Sequence, residues 1–170
     1  MASLAVTLTH STGASGTPAS VQLTNTNIGY FRLSGVSAGT DLLGAVATGH
    51  SGASATISIG LGRVDGFSGW PSAISSASTD SVQVTLYPRA PDGAGRNVLN
   101  ATTFSATTSN GNLRLVSGGA NSVPITSVTV PAEASFVQFW VKGVSPGPAT
   151  VTFTNPNYQT FVTPSVTVNP

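Results

Sequence analysis

Seven side chains carry the acid–base chemistry that this 170-residue sequence could perform near neutral pH: His10, His50, Asp41, Asp65, Asp80, Asp92 and Glu133. A paired-carboxylate site needs two acids facing each other across a cleft, and five acids spread over the whole chain make a poor basis for one. The two histidines stand forty residues apart with no partner at ligand spacing, so they do not read as a zinc site. The nearest approach to a nucleophile is Gly49-His50-Ser51-Gly52-Ala53, one residue short of the hydrolase elbow. That elbow exposes its serine by bending a strand sharply into a helix. Here Ala55 to Ile59 alternates as a strand, so Ser51 is expected in an ordinary hairpin turn.

Asp65-Gly66 and Asp92-Gly93 read as turn pairs in which the aspartate bonds its own backbone. Calcium requires several converging oxygens, and an interdomain site using Asp65 or Asp80 is the one cation site these acids leave open. No other cofactor is expected. The glycines are not followed by helix N-termini, so their amides cannot converge on a phosphate. Asn100-Ala101-Thr102 spells a glycosylation sequon, which a bacterial or phage source would not use.

The candidates for binding are aromatic. In the alternation Val137, Phe139, Val141, the intervening Gln138, Trp140 and Lys142 are expected to face outward. An outward tryptophan marks either a protein contact or a sugar-stacking platform. A seam with another domain or subunit is the plainer reading of Trp140, and carbohydrate is the weaker alternative. Trp70, beside Pro71, is expected to pin a polar linker and is the remaining candidate for the interaction surface.

The composition sets the frame for these residues. Only 6% of residues are charged, against roughly 25% in an average soluble protein. The formal net charge of +1 is too small and too dispersed for a nucleic-acid footprint or a polybasic membrane patch. No apolar run approaches the roughly 20 residues that span a bilayer, so no membrane insertion is expected. Cysteine is absent, which removes disulfides and thiol chemistry. The start, Met1-Ala2-Ser3-Leu4-Ala5-Val6, lacks the basic and apolar regions of a signal peptide. A secreted protein with this sequence is expected to be seen after processing or as a cut fragment, whereas a virion protein would need no signal.

Val82-Gln83-Val84-Thr85-Leu86, Val128-Thr129-Val130, Val137-Gln138-Phe139-Trp140-Val141, Thr150-Val151-Thr152-Phe153 and Val166-Thr167-Val168 all alternate with period two. Pro and Gly break nearly every window long enough for a helix. The pattern predicts an all-β chain of half-buried antiparallel strands.

An internal repeat organises them. Ser20-Val21-Gln22-Leu23 matches Ser127-Val128-Thr129-Val130, and Phe31 to Gly39 matches Phe139 to Gly147. Thr56-Ile57-Ser58-Ile59 matches Ser165-Val166-Thr167-Val168. These blocks, with the turn after Val130-Pro131-Ala132, the segment Gly143-Val144-Ser145-Pro146-Gly147 and Ala149-Thr150-Val151-Thr152, resemble bacterial immunoglobulin-like repeats of the invasin type. That family occurs in surface adhesins, in accessory modules of secreted enzymes and in phage virion proteins.

The resemblance implies an immunoglobulin-like β-sandwich over residues 81–170. It also implies a shortened unit over 1–66, with residues 67–80 as a linker or long loop. A half-sandwich has open edges and an apolar face to cover, so it packs on the complete unit, borrows strands from a neighbour, or closes by a variant topology. Two functions follow as expectations, and neither is enzymatic. One is a structural or adhesive module of a bacterial extracellular or cell-surface protein. The other is a self-assembling virion subunit of the decoration, tail or coat kind. In both, the partners are other copies or neighbouring protein subunits.

Overall fold

The computed structural model describes residues 3–24, 28–77, 81–118 and 123–170, and among them there is no helix. The chain divides into two units, residues 1–60 and 61–170.

The first unit is built on one antiparallel sheet. Its strands are β1 (Ser3–His10), β3 (Ser20–Thr24), β5 (Gly39–Val46) and β6 (Ala53–Ile59), in the spatial order β3-β1-β5-β6. A two-residue ribbon, β2 (Ser15–Gly16) with β4 (Ser34–Gly35), lies between them in sequence. Period-two alternation sorts the faces. The registers Leu4↔Leu23, Val6↔Val21, Leu8↔Ala45 and Asp41↔Ile57 put these side chains on one face. The opposite face carries Thr7, Gln22, Thr40, Thr56 and Ser58. Among the apolar side chains of the first face Leu8 is fully buried, as is Ala14 in the loop after β1.

The second unit is a two-layer sandwich. One layer has five strands in the order β12 (Pro124–Ile125), β11 (Leu113–Val116), β14 (Val137–Gly143), β9 (Val82–Arg89) and β7 (Arg63–Ser68). The other runs β13 (Ser127–Val130), β10 (Thr102–Thr108), β16 (Val151–Thr154) and β17 (Phe161–Val162). A third group joins β15 (Gly147–Ala149), β18 (Val166–Asn169) and β8 (Ala73–Ser75), with β18 and β8 parallel. Val84 and Leu86, Leu113 and Leu115, Phe139 and Val141 point in from the first layer; Phe104, Val128, Val130, Val151 and Phe153 meet them from the second. Phe139 and Phe153 stand 5.8 Å apart across the layers, and Phe67 lies 5.6 Å from Phe153. Such aromatic pairs add to the area they bury.

Three expectations change. The second unit begins at residue 61 rather than 81, and the stretch expected as a linker contributes strands. β7 pairs with β9 over Arg63↔Arg89 to Ser68↔Thr85, and Ile74 of β8 enters the core. The apolar residues Val64, Phe67 and Ile74 give this stretch something to bury, which a solvated linker lacks. Asp65-Gly66 is not a turn: it sits inside β7, where the ladder shifts register between Val64 and Gly66.

The third change concerns the repeat. Phe139 to Gly143 forms the central strand β14, whereas Phe31 to Leu33 lies in no strand. β14 is flanked by β11 and β9. In the first unit β1 pairs with β3 and β5, and among the described residues Phe31 to Leu33 enters none of these ladders.

A candidate contact surface and a buried polar anchor

The exposed apolar residues concentrate in the first unit, between β3 and β5. Ile28, Tyr30, Phe31, Leu33 and Val36 are all exposed, Tyr30 at 89%. Gly29 lets this segment pass close over β3: a Cβ there would meet the Leu23 and Val21 side chains at 2.6 and 2.8 Å and force them to shift. Leu42 and Val46 add exposed apolar surface on β5.

The deepest polar group of the same unit is Asp41, fully buried. β1 ends at His10, opposite Leu43, and the following turn folds three backbone amides onto the carboxylate. Oδ1 accepts from the Ser11 amide at 3.0 Å, the Ser11 hydroxyl at 3.2 Å and the Thr12 amide at 3.1 Å. Oδ2 accepts from the Ser15 amide at 3.0 Å and the Ser15 hydroxyl at 2.7 Å, and lies 3.0 Å from His10 Nδ1. The Ser15 hydroxyl, then the Thr12 and Ser15 amides and His10, hold the Asp41 carboxyl far below the ordinary carboxylate range, against the opposing effect of burial.

His10 Nε2 lies 2.8 Å from the Thr17 hydroxyl, so Thr17, His10 and Asp41 share the connectivity of a hydrolytic triad. The usual oxyanion donor is the amide that follows the nucleophile, and the residue after Thr17 is Pro18, which has none. The Asp41 carboxylate is held by His10, Ser11, Thr12 and Ser15. The cluster therefore acts as an anchor that holds the turn against β5. It was not legible in the sequence: His10 and Asp41 are 31 residues apart, and only the β1–β5 register brings them together.

The aromatic candidates of the second unit separate. Gln138 is exposed and Trp140 half-buried, on a face shared with Gln83 and Val116. Lys142, expected to face solvent, is only 8% exposed. It sits on a central strand with neighbours on both sides, and Thr85 and Val116 on the same face are buried as well. Trp70 packs against Phe67 at 5.3 Å and donates its indole N–H to the Pro164 carbonyl at 3.1 Å, so it pins β-structure rather than a linker.

His50 and Ser51 occupy an exposed turn between β5 and β6, closed by the His50 amide on the Ala47 carbonyl. Asp92 makes the expected turn: its Oδ1 accepts from the Ala94 amide, which with Arg96 lowers its pKa. Of the proposed calcium ligands, Asp80 lies outside the described residues, and Asp65 occupies the β7 bulge.

The sequence matches no family model and no curated protein. Solved structures similar to it include a domain pair of intimin, an adhesin and a glycosidase. The D00-D0 domain of intimin is 13% identical with a TM-score of 0.47, over 96% of this chain and 85% of that one. The Yersinia pseudotuberculosis adhesin InvE is 13% identical with a TM-score of 0.49, over 98% of this chain and 49% of that one. A beta-glycosidase from Bacteroides vulgatus is 14% identical with a TM-score of 0.49, over 96% of this chain and 21% of that one. The chain thus spans about a fifth of that glycosidase. Among the described residues the fold is all-β, and likenesses this distant bear on no individual residue or activity.

Proposed function

We propose that this chain is a non-catalytic structural or adhesive module of a bacterial extracellular or cell-surface protein, working through contacts with neighbouring subunits or other copies of itself. The exposed apolar run Ile28, Tyr30, Phe31, Leu33 and Val36 carries this reading. Apolar side chains gathered in one exposed stretch mark protein contact sites, and aromatic residues dominate the energetics of such contacts. The sparse charge of the chain, 6% of residues, is consistent with association that depends little on ionic steering. Gln138 and Trp140 supply a second, smaller surface, on which sugar stacking is the weaker alternative.

Latex beads coated with the chain should be retained under flow on a layer of whole bacterial cells. Tyr30→Ser combined with Phe31→Ser should lower that retention by at least about tenfold, a loss expected when aromatic anchors are removed. Equal retention of a folded double variant would overturn the reading.

A phage virion subunit is the second reading. The open-edged single sheet of the first unit favours it, since lateral association of identical copies would complete that sheet.

A further inference from the structure

One of the two edge strands of the first unit's sheet is self-complementary. Among the described residues β6 has β5 as its only strand neighbour, in the sheet order β3-β1-β5-β6. Its ladder runs without a register shift through seven pairs, from Ala45↔Ala53 to Gly39↔Ile59. Edge strands in natural proteins are blunted by lysine, proline, bulges or shortness. β6 is seven residues long, Ala-Ser-Ala-Thr-Ile-Ser-Ile, with no charge and no proline.

We infer that β6 pairs antiparallel with β6 of a second copy about a two-fold axis at Thr56, joining two four-stranded sheets into one. The inference rests on the proposal that the chain works through surface contacts, and it names one such contact.

The strand's own sequence selects this register. Antiparallel pairing about Thr56 sets Ala53 opposite Ile59, Ser54 opposite Ser58, Ala55 opposite Ile57 and Thr56 opposite itself. Ile57 and Ile59, with the alanines, share the face of Leu8 and Val6; the serines and Thr56 share the hydroxyl-rich face. The pairing therefore keeps apolar beside apolar and hydroxyl beside hydroxyl. A slip of one residue would set each isoleucine against a hydroxyl face, and a slip of two would shorten the ladder. No charge stands on β6 to oppose its own image across the axis. An isologous contact of this kind closes as a dimer and does not propagate into a fibre.

The full chain, 17.0 kDa, should move toward twice that mass by light scattering as concentration rises. Thr56 is exposed, so charge there leaves the protomer's packing intact. Thr56→Lys sets two like-charged side chains directly opposite each other across the axis, their Cβ atoms about 5 Å apart, and should hold the chain at monomer mass. Thr56→Glu should do the same, and an equimolar mixture of the two variants should regain the doubled mass. Should a variant fail to fold, the wild type still decides: its β6 amides should exchange at least about tenfold more slowly at dimer-forming concentration than on dilution.

A wild type of monomer mass at every concentration overturns the inference. So does a Thr56→Lys chain that keeps the doubled mass. A monomeric wild type whose beads still adhere through Tyr30 and Phe31 would remove the dimer and leave the adhesive reading standing. A dimer whose beads do not adhere would do the reverse.

Discussion

The two units solve the same problem with different material. In the second, two layers close over Phe104, Phe139 and Phe153, each at most 1% exposed. Among the described residues of the first, Leu8 in the sheet and Ala14 in the loop after β1 are the only fully buried apolar residues, and the deepest side chain is a carboxylate. A sheet buries its apolar face only against a second layer. Where that layer is present, side chains interdigitate and the edges matter little. In the first unit that face is only half-buried, a polar anchor at Asp41 fixes one turn, and apolar side chains between residues 28 and 36 are exposed. The contrast points to the second unit as the stable scaffold and to the first as the part that makes contacts.

Emptying the sandwich should produce the largest effect. Phe153→Ala removes a side chain in contact with Phe67 and Phe139 and should cost about 4 kcal/mol. Both tryptophans, Trp70 and Trp140, lie in the second unit, so their fluorescence during urea unfolding reads that loss. Leu8→Ala, the corresponding cut in the first unit, should cost about 2 kcal/mol, read from amide exchange in β1. Equal costs would erase the contrast.

The anchor sharpens it. Asp41→Asn should lower the exchange protection of the Thr12 and Ser15 amides by about tenfold and leave β14 unchanged. Acid should act in the same direction. The folded carboxyl has a depressed pKa, so its contribution is complete above the unfolded value of about 3.9. That contribution is lost as pH falls from there toward the folded value, and the 11–15 turn should lose protection over that interval.

Two smaller changes test the surface of the second unit. Trp70→Phe removes the bond to Pro164 and should cost about 1 kcal/mol in urea unfolding. Arg96→Ala breaks the ion pair to Asp92, in which both side chains are exposed, and should leave the unfolding midpoint where it was.

Much of the second unit was legible in advance. Period-two alternation located β9, β13, β14, β16 and β18 almost to their ends, because a half-buried strand must alternate. β7 and β8 were missed because Gly66, Gly69 and Pro71 interrupt the pattern, while the partners that make them strands, β9 and β18, are distant in sequence. Lys142 was expected outside by the same alternation rule. Alternation assigns a side chain to a face of the sheet, and it does not say whether that face is covered.

By itself, then, the sequence determined an all-β chain, its strand faces and the shortness of its first unit. Those follow from local periodicity and from residues that break helices. Only the tertiary structure decided that residues 61–77 belong to the second unit, that Phe31 to Leu33 forms no strand, and that His10 and Asp41 meet. Each of these depends on which strand lies beside which, and strand pairing joins residues tens of positions apart, beyond the reach of any local pattern.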